Sequence, residues 1–203
     1  TEIMCVIKSN AYGHGMGEVA DILKKHTLYF VVASIEEALA LRERGIKNSI
    51  LVLGNYDISD KQAFADAINK GIELAVYSLE VLKHIASVAR KAKKQAYAHI
   101  KIDTGMSRFG IDAKEAMRYI HNVMKCKEIQ IRGIYSHFAA SDEDSHFTRI
   151  QADRFEKIIA ALKKNVSIPY QHIKNTAGCF LEGIPGNAAR VGIGLYGMYP
   201  SLW

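Results

Sequence analysis

The sequence predicts a (β/α)8 barrel, and three observations lead to this fold class. Short apolar runs alternate with longer amphipathic segments, which is typical of repeated β-α units around a parallel sheet. The runs are eight in number, as a barrel of this kind requires. Polar or glycine-bearing loops follow several of them, and barrels place their chemistry in the loops after the strands.

The predicted elements alternate along the whole chain. The strands cover residues 3–7, 29–33, 50–53, 72–76, 96–102, 129–135, 171–174 and 189–195. Helical periodicity covers residues 16–25, 35–44, 59–69, 78–93, 113–124 and 146–164, with a shorter helix expected after Asn175. This order of elements predicts strands that are parallel and helices that lie outside them.

The barrel is expected to be incomplete at its C-terminal end. Barrels of this class typically need about 250 residues, whereas this chain has 203. No helical pattern follows the last predicted strand. We therefore expect residues 1–203 to form one barrel domain, without its closing helix, of a longer two-domain protein.

Composition narrows the functional classes. With 49% hydrophobic and 24% charged residues, the chain is expected to fold around a substantial core. A net charge of +6 invites a nucleic-acid-binding interpretation. The lysines, however, form short clusters near predicted helix ends, where they complement the helix dipole. A nucleic-acid partner is therefore not expected.

Cysteine usage and hydropathy indicate the compartment. Cys5, Cys126 and Cys179 are odd in number and lack partners at ligand spacing, which favours neither disulfides nor a metal site. No apolar run approaches the roughly 18 residues of a membrane span. Thr1 stands directly before a strand and not in a targeting leader. We expect a cytoplasmic protein without a membrane segment or a metal.

Lys8 ends the first predicted strand and opens a glycine-bearing loop. In a barrel, burial and neighbouring cations can tune the pKa of such an amine, which makes it a candidate Schiff-base nucleophile. An arbitrary lysine at a strand end is more often a solvated surface residue. The choice between these interpretations depends on the rest of the chain.

The fifth and sixth predicted strands carry further candidates. Alternation places His99, Lys101 and Asp103 on one face of the fifth strand, and we expect this face to point into the barrel mouth. Arg108, in the loop that follows, has a planar guanidinium that suits a carboxylate. His137 follows the sixth strand, where an imidazole can contact a ring cofactor, although a lone histidine is more often structural.

Arg190 stands just before a glycine-rich turn that contains Gly192 and Ile193. Glycines there allow backbone N–H groups to approach a phosphate. Glycine turns are common, so this signal is weak when it is taken alone.

Four segments together resemble the alanine racemase family. They are VIKSNAYGHG (6–15), HIKIDTGMSRFGI (99–111), YSHFAASD (135–142) and RVGIGLYG (190–197). The resemblance is collinear and covers nearly the whole chain. It implies a pyridoxal 5'-phosphate-dependent isomerase that interconverts L- and D-alanine for cell-wall precursor supply and acts as a homodimer.

The resemblance also implies a role for each candidate. Lys8 would hold pyridoxal phosphate and serve as one of two acid/base groups. Arg190, supported by His137, would face the pyridine nitrogen, where a guanidinium cannot act as a strong acid. The cofactor phosphate would be bound by Tyr12, Thr176, Gly192 and Ile193, with Thr176 standing where many relatives carry serine.

Lys101 and Arg108 are neighbouring cations that would repel each other. In the family the matching lysine is often carbamylated, which converts a cation into an anion that can orient Arg108. The resemblance therefore implies that Arg108 binds the substrate carboxylate and that Lys101 is a possible carbamylated lysine.

The chain departs from the family pattern in one respect. Family members carry a second, β-rich domain that delivers the opposite-face catalytic tyrosine to the partner subunit, and no such domain is expected within these residues. Neither Tyr196 nor Tyr199 is nominated for that role. The chain alone is therefore expected to racemise poorly.

Three other interpretations stay open. One is a non-catalytic pyridoxal-phosphate-binding protein of the same barrel type. Another is a serine racemase or an amino-acid decarboxylase that shares the Schiff-base step and differs in the bond that breaks. The third is a structural or nucleic-acid-binding protein in which Lys8 is unreactive.

Overall fold

The computed structural model describes residues 1–54, 56–163 and 166–200, which form a closed barrel of parallel strands wrapped by helices. The strands are β1 (Glu2–Val6), β2 (Tyr29–Val32), β3 (Ser49–Val52), β4 (Glu73–Val76), β5 (Ala96–Asp103), β6 (Ile111–Asp112), β7 (Ile129–Tyr135), β8 (Tyr170–Lys174) and β9 (Ala188–Val191). Neighbours follow the order β4-β3-β2-β1-β9-β8-β7-β5, and pairing of β4 with β5 closes the ring. The predicted (β/α)8 barrel is confirmed.

Helices follow most of the strands. They are α1 (Lys8–Tyr12), α2 (Met16–Leu23), α3 (Ile35–Glu43), α4 (Lys61–Asn69), α5 (Leu79–Ala92), α6 (Ala116–Lys125) and α7 (Ser145–Lys163), with 3-10 helices at Ala177–Phe180 and Ile193–Tyr196. Ser34 and Ser78 begin α3 and α5, because each hydroxyl accepts the N–H three residues on. Within the described ranges, no helix is long and apolar enough to cross a membrane.

The structure corrects the predicted end of the last strand. The last strand does not extend over residues 189–195: it ends at Val191, because Gly192 turns the backbone into the 3-10 helix Ile193–Tyr196. The apolar residues after Gly192 continue the composition of the strand but not its conformation. The helix predicted over 146–164 corresponds to α7, and the last residue of that range lies outside the described residues.

One short strand was not predicted. The two-residue strand β6 pairs Ile102 with Ile111 and Asp103 with Asp112, and so closes the loop that follows β5. A pairing this short leaves no periodicity that a sequence pattern can reveal.

The apolar residues form two layers. The larger layer lies between strands and helices, and the smaller layer lies inside the barrel. Alternation along β2 shows the division: Tyr29 and Val31 belong to the inner layer, whereas Phe30 and Val32 belong to the outer one. The inner layer consists of Met4, Val6, Tyr29, Val31, Leu51 and Ala188. It leaves room inside the barrel for buried polar side chains.

Candidate active site

A cavity of about 400 Å3 lies at the carboxyl ends of the strands. In barrels this end carries the chemistry. The nine residues to which the family resemblance gives a role all line the cavity: Lys8, Tyr12, Lys101, Arg108, His137, Thr176, Arg190, Gly192 and Ile193. The structure thus brings together side chains that are spread over nearly the whole chain.

A left-handed turn presents the first two of these residues. Residues 9–12 of α1 have φ between 52° and 55°, a conformation that costs non-glycine residues about 1 kcal/mol each or more. The Glu37 carboxylate of α3 holds the turn, because it accepts the N–H of Ser9 and the N–H of Ala33, both at 2.7 Å. The end of β2 and the strained turn are therefore fixed by one side chain, and Lys8 is held at the cavity.

Hydroxyl and backbone N–H groups meet in one corner of the cavity. The Thr176 hydroxyl accepts the N–H of Gly192 at 3.2 Å and that of Gly194 at 3.4 Å. A Cβ at Gly192 would lie 2.5 Å from the Tyr12 hydroxyl, so the phenol can approach the backbone only because this residue is glycine. Ile193 begins the adjacent 3-10 helix. Grouped donors of this kind suit a phosphate.

Arg190 is 4% exposed and is bound on two sides. Its Nη1 donates to His172 Nδ1 at 2.6 Å and to the His172 carbonyl at 2.9 Å. Its Nη2 donates to the Ser136 carbonyl at 2.6 Å and to His137 Nδ1 at 3.1 Å. A guanidinium has five N–H donors, so the Nε–H remains without an acceptor in the part of the chain that the structure describes.

Burial and charge set the protonation of these groups. Burial lowers the pKa of Arg190 to about 10, which leaves the guanidinium charged at neutral pH. Burial, followed by the charges of Arg190 and Arg108, lowers the pKa of His137 to about 3. His137 is therefore neutral at physiological pH, and its Nδ1 accepts the hydrogen bond from Arg190 Nη2.

Lys101 has an unusual environment for an amine. Burial first, and then the charges of Arg108 and Arg190, lower the pKa of Lys101 to about 7. Its Nζ lies 3.4 Å from the centroid of the Phe109 ring. A substantial share of this amine is uncharged at neutral pH, which is the form that reacts as a nucleophile.

Not every polar residue of the fifth strand faces the cavity. Lys101 does, but His99 is 0% exposed deeper in the barrel, and Asp103 accepts the N–H groups of Gly105 and Ser107 in its own loop. The expectation that all three point into the barrel mouth is therefore wrong for His99, whereas Asp103 lies beside the cavity and lines a smaller pocket with Lys101 and Arg108.

Sequence reasoning missed four polar residues at or beside the cavity. Tyr135, Asp142 and Asn175 line it. His172 does not line it but accepts a hydrogen bond from Arg190, which does. Tyr135 and Asp142 belong to the segment YSHFAASD, which was a usable signal. His172 lies on a strand with polar residues at both ends, so its pattern did not separate a buried from an exposed face.

Neither a metal cluster nor a disulfide is seen in the part of the chain that the structure describes. Within the described residues, no three His, Cys, Asp or Glu side chains are placed to hold a metal ion. Cys5, Cys126 and Cys179 are free thiols.

Fold and site together define a class: (β/α)8-barrel proteins that present a lysine amine beside an anion-binding corner. The family model described as alanine racemase, N-terminal domain, matches residues 1–200, and the chain belongs to this family. Alanine racemase 2 of Caldanaerobacter subterraneus subsp. tengcongensis is 39% identical over 98% of this chain and 52% of its own length.

Two further comparisons agree. Alanine racemase 1 of Oceanobacillus iheyensis is 38% identical over 98% of this chain and 54% of its own length. The solved structure of the Clostridium difficile 630 alanine racemase in complex with cycloserine superposes with a TM-score of 0.93 at 37% identity, covering 99% of this chain and 56% of that one. The chain spans about half the length of the curated relatives it matches.

Proposed function

We propose that this chain is the cofactor-binding barrel of a pyridoxal-phosphate-dependent racemase that interconverts L- and D-alanine. The observation that carries the proposal is that Lys8, the corner of Tyr12 with Gly192, and Arg190 all line one cavity. A volume of about 400 Å3 suits a small cofactor together with a small amino acid.

The residues present fit pyridoxal phosphate. Its phosphate matches the corner formed by Tyr12, Thr176 and the backbone at Gly192, where the missing Cβ lets the Tyr12 hydroxyl approach the backbone. The cavity is lined by four basic side chains, which suits an anionic cofactor and substrate: Lys8, Lys101, Arg108 and Arg190. When bound, this cofactor supplies an electron sink for the bond broken at the substrate Cα.

Lys8 is assigned two tasks. Its amine would hold the cofactor in the resting protein. During turnover the same amine would accept or donate a proton at the substrate Cα. The rigid left-handed turn holds this amine on one face of the cavity, so Lys8 serves one of the two faces that racemisation needs.

Arg190 is assigned to the ring nitrogen. Its four Nη donors are taken by protein acceptors, so the Nε–H is the donor left for a ring nitrogen that lies in the cavity. With a pKa of about 10, the guanidinium keeps its proton and offers only a hydrogen bond. His137 supports this arrangement as the acceptor for Nη2.

Arg108 and Lys101 are assigned to the substrate side. Arg108 is exposed at the cavity and has the planar donors that bind a carboxylate. A carbamate on Lys101 would remove the repulsion between the two residues and orient Arg108. We assign alanine and not serine as the substrate, because the relatives are named alanine racemases.

The assembly is proposed from the family resemblance, together with the observation that the chain spans about half the length of its relatives. We infer that residues 1–203 are the barrel domain of a longer two-domain polypeptide in the cytoplasm. That polypeptide forms a homodimer in which the partner subunit supplies the second acid/base group. The product would serve cell-wall precursor synthesis.

Borohydride reduction tests the central assignment. The full-length protein is mixed with pyridoxal phosphate, reduced with borohydride and digested, and the labelled peptide is mapped. The label is expected on Lys8 and should disappear in Lys8→Ala, while Lys47→Ala, which changes an exposed lysine, keeps it. A folded protein labelled on another lysine, or not labelled, contradicts the proposal.

A coupled assay tests the substrate. The full-length protein is given L-alanine and L-serine separately, and formation of each D-isomer is measured with carbon dioxide release. Faster formation of D-alanine supports the proposal. Faster D-serine formation, decarboxylation, or labelling of Lys8 without turnover would each favour one of the alternative functions.

A further inference from the structure

A series of buried hydrogen bonds crosses the barrel interior from Arg190 to Glu73. Arg190 Nη1 lies 2.6 Å from His172 Nδ1, His172 Nε2 lies 2.8 Å from His99 Nδ1, and His99 Nε2 lies 2.7 Å from Glu73 Oε2. None of the four side chains is more than 4% exposed. We call these four residues the Glu73–Arg190 relay.

The relay runs along the barrel as well as across it. Glu73 is the first residue of β4, whereas Arg190 lines the cavity at the opposite, carboxyl end of the strands. His99 on β5 and His172 on β8 bridge the two across β7. On β7, Gly133 leaves the space for this bridge, because a Cβ there would collide with the His99 ring.

The chemistry of its two ends gives the relay one direction. A guanidinium can only donate, so His172 Nδ1 is an acceptor and His172 Nε2 carries the ring proton. His172 Nε2 therefore donates to His99 Nδ1, which leaves His99 Nε2 with the proton that faces Glu73. A carboxylate accepts such a hydrogen bond, so both ends of the relay require the same direction.

Neighbouring groups reinforce this arrangement. The Tyr29 hydroxyl donates to both Glu73 oxygens at 3.1 Å, and Arg132 Nε lies 3.9 Å from Oε1. The Tyr135 ring stacks on the His172 ring with an interplanar angle of 1°. Burial, followed by the charge of Arg190, holds the pKa of His172 well below its usual value, so this imidazole is neutral.

We propose that Glu73 and His99 are positioning residues that act through His172 to hold Arg190 against the cofactor. The proposal rests on the function proposed above. Buried hydrogen bonds in series polarise one another, so the carboxylate strengthens His172 as an acceptor for Arg190. The negative charge of Glu73 thereby supports a guanidinium that has lost its hydration, although the two side chains do not touch.

The first test needs no cofactor. In the full-length apoprotein, imidazole nitrogen-15 and N–H proton resonances are assigned for His99 and His172. Both rings are expected to be neutral with the proton on Nε2. Glu73→Gln, which keeps the size of the side chain, should shift the N–H resonances of both rings upfield. Tyr56→Phe removes a hydroxyl that bonds Val52 and Ala75 outside the relay, and is the control that should leave His172 nearly unchanged.

Two results would overturn the relay. The first is a proton on Nδ1, or on both nitrogens, of either ring in the parent protein. The second is an unshifted His172 resonance in folded Glu73→Gln. Neither result depends on whether the protein binds pyridoxal phosphate.

The second test connects the relay to the cofactor. His99→Leu interrupts the relay and is expected to weaken pyridoxal phosphate binding roughly tenfold. An effect of this size is common when a residue that supports a ligand-binding side chain from behind is lost. His99→Gln keeps one donor and one acceptor, and its dissociation constant is expected to stay within about threefold of the parent. If both variants bind equally, the positioning role is wrong. If the parent itself does not bind, the proposed function fails while the first test still decides the relay.

Discussion

The Lys101 amine illustrates what burial among like charges does to a single residue. Its pKa falls to about 7 because it is desolvated and because Arg108 and Arg190 are close. A neutral amine attacks carbon dioxide, loses a proton and becomes a carbamate anion. That product would relieve the excess of positive charge in the cavity.

Carbamylation of Lys101 is the first prediction. With carbon-13-labelled bicarbonate, the full-length protein should show a carbamate carbon resonance that Lys101→Ala abolishes. Lys47→Ala, at an exposed lysine, should retain the resonance. A parent protein without the resonance, or a resonance that survives Lys101→Ala, contradicts the prediction.

Protonation of His137 makes the free energy of unfolding depend on pH. In the native protein its pKa is about 3, whereas an unfolded histidine has a pKa of about 6.5. Between these values the unfolded state binds more protons, so the free energy of unfolding falls as the pH drops from about 6.5 toward 3. One such group contributes a slope of about 1.4 kcal/mol per pH unit in that window.

His137→Gln should therefore weaken the loss of stability at acid pH. We measure the free energy of unfolding by urea denaturation between about pH 7 and about pH 4.5, the upper part of this window. We expect its dependence on pH to be less steep in the variant than in the parent, by about one bound proton. Burial and Arg190 also hold the pKa of His172 low, so part of the slope should remain. An identical slope in parent and variant would show that His137 is not the neutral, buried group described.

At the scale of elements, the turn after β1 depends on a contact from outside it. Its non-glycine residues adopt a left-handed conformation that local preference opposes. The Glu37 carboxylate on α3 accepts the N–H of Ser9 in the turn and the N–H of Ala33 at the end of β2, and so ties the turn to the neighbouring strand. The position of Lys8 therefore depends on a neighbouring helix and not only on its own loop.

Glu37→Ala is expected to lower the free energy of unfolding by about 1–3 kcal/mol, because two backbone N–H groups lose a charged acceptor. It should also weaken pyridoxal phosphate binding, since Lys8 and Tyr12 lose their support. Glu36→Ala changes the adjacent, exposed carboxylate and is the matched control. Equal effects of the two substitutions, measured by urea denaturation and cofactor titration, would refute this role for Glu37.

At the scale of the whole molecule, the barrel supplies one face of the proposed reaction. In this proposal Lys8 is the acid/base group on that face, and the resemblance to the family assigns the other face to a tyrosine from a second domain. Loss of one positioned acid/base group typically costs about 100-fold to 10,000-fold in rate. The barrel and the complete protein should therefore differ in turnover much more than in cofactor binding.

The corresponding measurement compares residues 1–203 with the full-length protein. Both are expected to bind pyridoxal phosphate, while the barrel should form D-alanine at least about 100-fold more slowly. Circular dichroism of the barrel serves as the folding control. Equal turnover by a folded barrel would place both acid/base groups within residues 1–203.

The sequence by itself predicted the barrel class, and its resemblance to a known family nominated nine residues that line the cavity. It could do so because each β-α unit carries its own local pattern and because parallel strands bring their carboxyl ends to one face. Boundaries were missed where composition continued and conformation changed, as after Gly192.

The tertiary structure alone decided the contacts between distant residues. His99 meets Glu73 and His172 across separations of 26 and 73 residues. The turn at Lys8 is set by Glu37, 28 residues beyond Ser9. A local pattern holds no record of such partners, because burial and hydrogen bonding inside a barrel depend on strands that meet only when it closes.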